Sequence, residues 1–211
     1  MSFFKIILLV IVTIIIFSFI NNYQDSNDEN YYVPQNTKIL AFGDSITYGY
    51  GVDKNASYPS QLANMLQTNV INAGVPGEDT RGGLKRLPSV LKKYKPQIII
   101  ICEGGNDIIR NKDLTITEQN IAKMIKLAQK QNIFVVLVGV PKLDILTVST
   151  ASFYYDLAKE FNVPLVDDAL QDILNDNSLK LDDVHPNAKG YKILSKKIAS
   201  VVTNQYISPN M

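Results

Sequence analysis

Apolar and polar positions divide the chain into three regimes. Residues 3–20 are apolar almost without interruption, and Lys5 is their only charge. Residues 21–36 turn polar, rich in Asn, Asp, Ser and Tyr, with Pro34 near their end. From residue 37 onward short apolar runs alternate with stretches whose apolar residues recur every three or four positions. Lys38–Phe42, ending in Gly43, and Val70–Ala73, ending in Gly74, read as strands. Gln97–Cys102 is a continuous β-branched run, as expected of a central parallel strand covered on both faces. Ile133–Val140, stopped by Pro141, and Pro164–Val166 complete five strands. Helical spacing lies between them: Leu62, Met65 and Leu66 within 58–67, and Leu84, Leu87, Val90 and Leu91 within 80–94. Pro88 predicts a kink or break in the second of these helices. Thr115-Ile116-Thr117-Glu118 matches a capping box that would open a helix through Ile121, Met124, Ile125 and Ala128. Residues 152–161 and 187–206 supply two more helices. Strands alternating with helices predict a three-layer α/β/α sandwich around a five-stranded parallel sheet.

The first twenty residues stand apart from that pattern. At 1.5 Å per residue an 18-residue helix spans about 27 Å, just under a bilayer core. The run ends Ser18-Phe19-Ile20-Asn21-Asn22, without the small residues at −3 and −1 that a cleavage site wants, and no Cys follows for lipidation. We therefore expect residues 1–20 to be an uncleaved signal anchor, residues 21–36 a linker and residues 37–207 the folded domain. Lys5 would stay cytoplasmic and the acidic stretch from Asp25 to Glu29 would lie outside, in the periplasm or beyond a bacterial inner membrane. Secretion after signal cleavage is the alternative.

Composition narrows the chemistry. The 211 residues carry 21 basic and 20 acidic groups, a net charge of +1, and without Lys5 the remainder balances at zero. That argues against a nucleic-acid partner and against an anionic lipid surface held by charge alone. One Cys, Cys102, forbids an intramolecular disulfide; with one His, His185, it also excludes the usual zinc sites. A carboxylate Mg²⁺ site stays open. Any imidazole base must be His185.

In a parallel sheet, ligands gather beyond the carboxyl ends of the strands. Those ends read Gly43-Asp44-Ser45-Ile46-Thr47, Asn72-Ala73-Gly74-Val75-Pro76-Gly77 and Glu103-Gly104-Gly105-Asn106-Asp107; Asp182-Asp183-Val184-His185-Pro186-Asn187 precedes the last helix. A serine hydroxyl needs a base within hydrogen-bond reach to become a nucleophile. Ser45 with His185 supplies that pair, and Asp182 can turn back to hold the imidazole Nδ1–H. The amides of Ser45 and Gly74 and the side chain of Asn106 are candidate donors to an oxyanion. Cys102, inside an apolar strand, is a packing residue rather than a rival nucleophile. No G-x-S-x-G elbow exists in the chain.

In order and placement these four segments resemble the SGNH hydrolases, the GDSL esterase/lipase family. Gly43-Asp44-Ser45, Gly74, Gly104-Gly105-Asn106-Asp107 and Asp182-Asp183-Val184-His185 match its blocks over about residues 38–203. The flavour of Gly74–Thr80, Gly83–Leu87, Leu157–Phe161 and His185-Pro186-Asn187 is similar to the bacterial acyl-CoA thioesterase I/lysophospholipase and arylesterase branch. The resemblance implies a flavodoxin-like fold, a Ser45-His185-Asp182 triad and an oxyanion hole of Ser45, Gly74 and Asn106. It implies no metal or organic cofactor, and small-molecule or lipid ester and thioester substrates. Family spacing selects Asp182 over its neighbour Asp183. A carbohydrate O-acetylesterase acting on cell-wall glycans uses the same residues, and a non-catalytic binding module on the same fold is a further reading. The acyl group is expected in the loops after Asn106 and Pro141, around Leu143, Ile145, Leu146 and Phe153.

Overall fold

The computed structural model describes residues 31–143 and 148–206. The signal-anchor expectation for residues 1–20 lies outside the described residues, as does most of the linker. Among the described residues no helix is long and apolar enough to cross a membrane.

Five strands form one parallel sheet: β1 (Lys38–Gly43), β2 (Asn69–Gly74), β3 (Ile98–Cys102), β4 (Phe134–Val138) and, after the small hairpin described below, β7 (Leu165–Val166). Their order across the sheet is β2-β1-β3-β4-β7. Consecutive pairings in register, such as Gly43 with Gly74 and with Cys102, bring three strand ends to one level. All five residues of β3 are buried, as its β-branched run requires, whereas β2 lies at the edge and is half-exposed. The connections between parallel strands carry helices, which right-handed crossovers lay against the two faces of the sheet. One packed group is α2 (Tyr58–Leu66) with α8 (Ala188–Tyr206); the other is α3 (Thr80–Tyr94) and α6 (Phe153–Phe161) against α5 (Leu114–Gln129). Two short helices, α1 (Ser45–Tyr48) and α4 (Gly105–Ile109), follow β1 and β3 directly. The chain thus has the α/β/α sandwich that its apolar periodicity predicts.

Four details depart from the pattern. The α3 helix continues through Pro88. Pro88 lies on the exposed face, and the buried face (Thr80, Gly83, Leu87, Leu91) is unbroken. The cap of α5 is Asp113, not Thr115: its Oδ1 accepts from Thr115 N at 2.9 Å, so Thr115 and Glu118 lie inside the helix. Asp caps as well as Thr does, and it comes first. Pro141 does not end extended structure; β5 (Pro141–Leu143) pairs antiparallel with β6 (Val148–Thr150). Finally α7 (Ala169–Asn175) buries Ala169, Leu170, Ile173 and Leu174 in two turns too short to show a helical period.

Three fully buried tyrosines link this core to the loops at the carboxyl end of the sheet. Tyr58 of α2 shares a hydrogen bond with Thr47 Oγ1 at 3.1 Å. Tyr154 of α6 donates to the Glu103 carbonyl at 2.6 Å, and Tyr191 of α8 to the Tyr50 carbonyl at 3.4 Å.

Candidate active site

The site begins where β1 ends. Asp44 caps α1 by accepting from Ile46 N at 3.0 Å, and Ser45 is the first helical residue. Its Oγ lies 3.0 Å from His185 Nε2. On the other side of the ring, Nδ1 lies 3.0 and 2.9 Å from the two oxygens of Asp182. Because a carboxylate only accepts, Nδ1 carries the proton and Nε2 presents its lone pair to the serine hydroxyl. Asp183 points away, its side chain 95% exposed.

The loop that carries His185 is held by its own polar groups. Asp182 Oδ1 accepts from the amides of Val184 (2.9 Å) and His185 (2.8 Å). Partial burial pushes the Asp182 carboxyl up, but these bonds and the imidazole outweigh it and hold the group below its ordinary range. Leu181 N donates to the His185 carbonyl at 2.8 Å, and Asn187 Nδ2 reaches the carbonyls of Ser178 and Lys180. Tyr50 packs its ring over the imidazole, 4.6 Å between centroids.

Asn106, in α4, lines the same cleft as Ser45 and His185. Its amide donates to Asp44 Oδ2 at 3.1 Å, and its second N–H has no partner among the described residues. The following residue fixes the backbone: Asp107 accepts from Thr80 N at 2.8 Å and Thr80 Oγ1 at 3.0 Å. Gly104, at φ +114°, makes the turn into α4 and brings the backbone onto the Tyr154 hydroxyl. Gly74 stands one strand away, outside the residues that line the cleft, and its amide donates to Asn72 Oδ1 at 3.0 Å. The absence of a side chain there has a steric reason as well, since a Cβ would strike the backbone of Thr47 and Tyr48.

Two buried acids, Asp44 and Glu103, directly follow β1 and β3. Burial pushes the Asp44 carboxyl up to about 6, against the opposing pull of Ile46 N, His185 and Asn106. Keeping it ionised at neutral pH costs about 3 kcal/mol, at about 1.4 kcal/mol per pH unit. Burial also raises Glu103 well above the usual carboxylate range, reinforced by Asp44 and Glu78 and opposed by Arg86; neither of its oxygens has a partner among the described residues. Arg86 pairs with Glu78 at 2.6 Å and donates to the Gly43 carbonyl. Cys102 is buried and its thiol pushed well up by desolvation, so it offers no thiolate.

The cleft is narrow, with a cavity volume of about 30 Å³, and opens to solvent on one side. Its apolar wall is Ile46, Ile108, Ile109, Val140, Leu174 and Val184, with Pro141 beside them. The segment after Asn106 contributes Ile108 and Ile109 as expected, whereas the wall on the other side is Val140 and Pro141 rather than any described residue of the loop after Pro141. Phe153 does not: it is 7% exposed within the core, because it opens α6 with its ring packed on Tyr154. The side chain of Leu143, and Ile145 and Leu146, lie outside the described residues. Leu174, Asp44 and Tyr50 were not anticipated. Of these, only Asp44 had a legible signal, an N-cap residue immediately before the serine.

Residues 41–193 match the model of the GDSL-like lipase/acylhydrolase family, and the chain belongs to that family. It is a serine ester hydrolase. The chain is 31% identical over 157 residues to thioesterase 1/protease 1/lysophospholipase L1 of Escherichia coli K12, an overlap covering 71% of this chain and 75% of that protein. Among solved structures, AlinE4, an SGNH-hydrolase family esterase, superposes with a TM-score of 0.64 at 30% identity, covering 84% of this chain and all of that one. The esterase EstA from Pseudoalteromonas sp. shares the fold at a TM-score of 0.72 and 22% identity, covering 82% of this chain and all of that one.

Proposed function

We propose that the protein cleaves acyl esters and thioesters, lysophospholipid-type esters included, through an acyl-Ser45 intermediate. The observation that carries this reading is the unbroken line from Ser45 Oγ through both nitrogens of His185 to Asp182, at 3.0 and 2.9 Å. His185 Nε2 takes the hydroxyl proton as Ser45 Oγ attacks the acyl carbonyl carbon. Asp182 holds the imidazole in the required tautomer and stabilises the imidazolium that forms. Asn106 Nδ2–H and Ser45 N–H receive the developing oxyanion, and Gly74 N–H joins them by sharing its proton with Asn72 Oδ1. The imidazolium then protonates the leaving alcohol or thiol, and water repeats the sequence on the acyl-serine to release the acid. No step requires a metal or an organic cofactor.

The apolar wall of Ile108, Ile109, Val140 and Leu174 favours acyl chains longer than acetyl over the O-acetyl groups of glycans. The apolar residues 3–20 support export, either retained as an anchor or removed, with the domain outside the inner membrane. The test is hydrolysis of a p-nitrophenyl ester series from acetate to dodecanoate by the full chain purified in detergent, with S45A alongside. Turnover in the wild type that vanishes in S45A is expected. Activity surviving in S45A would overturn the assignment, and a strict acetyl preference would move the substrate to a glycan O-acetyl ester.

A further inference from the structure

The Asn106 amide can donate into the cleft in only one sense, and a residue behind it selects that sense. Asp44 is buried, and both of its oxygens are engaged: Oδ1 by Ile46 N at 3.0 Å, Oδ2 by Asn106 Nδ2 at 3.1 Å. We infer that Asp44 is a positioning residue whose carboxylate locks the Asn106 amide with its nitrogen, not its oxygen, towards Asp44, leaving the second N–H for the oxyanion. The inference rests on the reading of Asn106 as an oxyanion donor.

The chemistry of the partners enforces the choice. An ionised carboxylate is an acceptor only. Turning the amide over would set two oxygens against each other at a buried carboxylate, where an unmatched polar contact is expensive. The backbone of Asn106 is placed by other means, since Asp107 ties the start of α4 to Thr80. Asp44 is thus left with the one remaining freedom, rotation of the side chain. Gly105 lets the two approach: a Cβ there would sit 3.1 Å from Asp44 Oδ2, tighter than ordinary contact. A serine or asparagine would cap α1 as well as an aspartate does, and without a buried charge. Capping alone therefore does not account for the carboxylate.

Two substitutions in the full chain separate the roles. D44S keeps an acceptor for Ile46 N but is too short to reach Asn106. D44N offers its own NH2 to Asn106 once its oxygen caps Ile46, and so selects the reversed amide. With p-nitrophenyl butyrate, kcat should fall about 10- to 100-fold in D44S and further in D44N, with KM changed less than about twofold. The decisive variant is D44S/N106A. If Asp44 acts through Asn106, the double variant is no slower than N106A alone; effects that multiply mean a general structural role and overturn the inference. Folded D44S and D44N with wild-type kcat also overturn it, as does failure of both to fold, which would make the carboxylate essential to the fold rather than to the orientation of Asn106. N106A at the wild-type rate is a different failure, one that removes Asn106 from the oxyanion site.

Discussion

Replacing Asp182 by Asn changes one atom and should abolish most turnover. Asp182 Oδ1 accepts from two backbone amides at 2.8 and 2.9 Å, and Oδ2 accepts from His185 Nδ1 at 2.9 Å. An asparagine has one oxygen, and the two amides claim it. Its NH2 group then faces Nδ1, and a donor facing a donor forces the ring into the other tautomer. The proton moves to Nε2, where it meets Ser45 Oγ, and the base is lost. Removal of this orienting charge costs about 10³- to 10⁴-fold in kcat, or about 4–5 kcal/mol of barrier. The Asp182 side chain is 45% exposed, so water softens the effect and the lower end is expected. The mechanism is visible directly, because His185 is the only histidine in the chain. One 15N-histidine label gives a single pair of ring nitrogens, whose shifts report which one is protonated. In the wild type Nδ1 should carry the proton, and in D182N Nε2 should. A D182N enzyme within tenfold of wild type, or one that keeps the proton on Nδ1, would refute the argument.

Three further outcomes follow from the site. S45A and H185A should each lower kcat by several orders of magnitude, and S45A/H185A should be no slower than either, since the two act as one unit in turnover assays. E103L should stabilise the protein at neutral pH. Glu103 has a raised pKa in the folded state, so its stabilising contribution is full below the unfolded value near 4.5 and is lost as pH rises towards the folded one. The gain in melting temperature of E103L over wild type should therefore grow from pH 4.5 to pH 8, and a gain independent of pH would contradict it. G74A should lower both melting temperature and kcat, the latter by about tenfold or more, because the added methyl meets Thr47 C at 2.7 Å and displaces the helix that begins with Ser45. Its crystal structure should show α1 shifted.

Sheet, helices and site were legible to different depths. Four of the five strands stood out because each is short, largely apolar and closed by Gly, Cys or Pro, Pro164 precedes the fifth, and β3 has no polar interruption at all. The proximity of Ser45 to His185, 140 residues apart, was legible from topology, since parallel strands deliver their ends to one edge. The hairpin of β5 and β6 was not, because three-residue strands carry no period. Nor was the wall contributed by Leu174, whose helix is two turns long. Asp44 was read only as the middle residue of the Gly43-Asp44-Ser45 block. Its bond to Asn106 joins residues 62 positions apart, a contact that no local pattern encodes. Choosing Asp182 over Asp183 required either family spacing or the fold itself, because both are acids in one exposed loop.

The tyrosines at 58, 154 and 191 give the loops a property that their sequence alone would not. Each ring is buried in the apolar core while its hydroxyl grips the chain near Ser45 or at the turn leading to Asn106. A loop so gripped cannot open by itself, because releasing it strands a phenol oxygen in hydrocarbon. Amide protons around Thr47, Tyr50 and Gly104 should therefore exchange with solvent only when the whole domain unfolds. Activity and far-UV circular dichroism should likewise be lost together on heating, and a folded but inert form at intermediate temperature would contradict this.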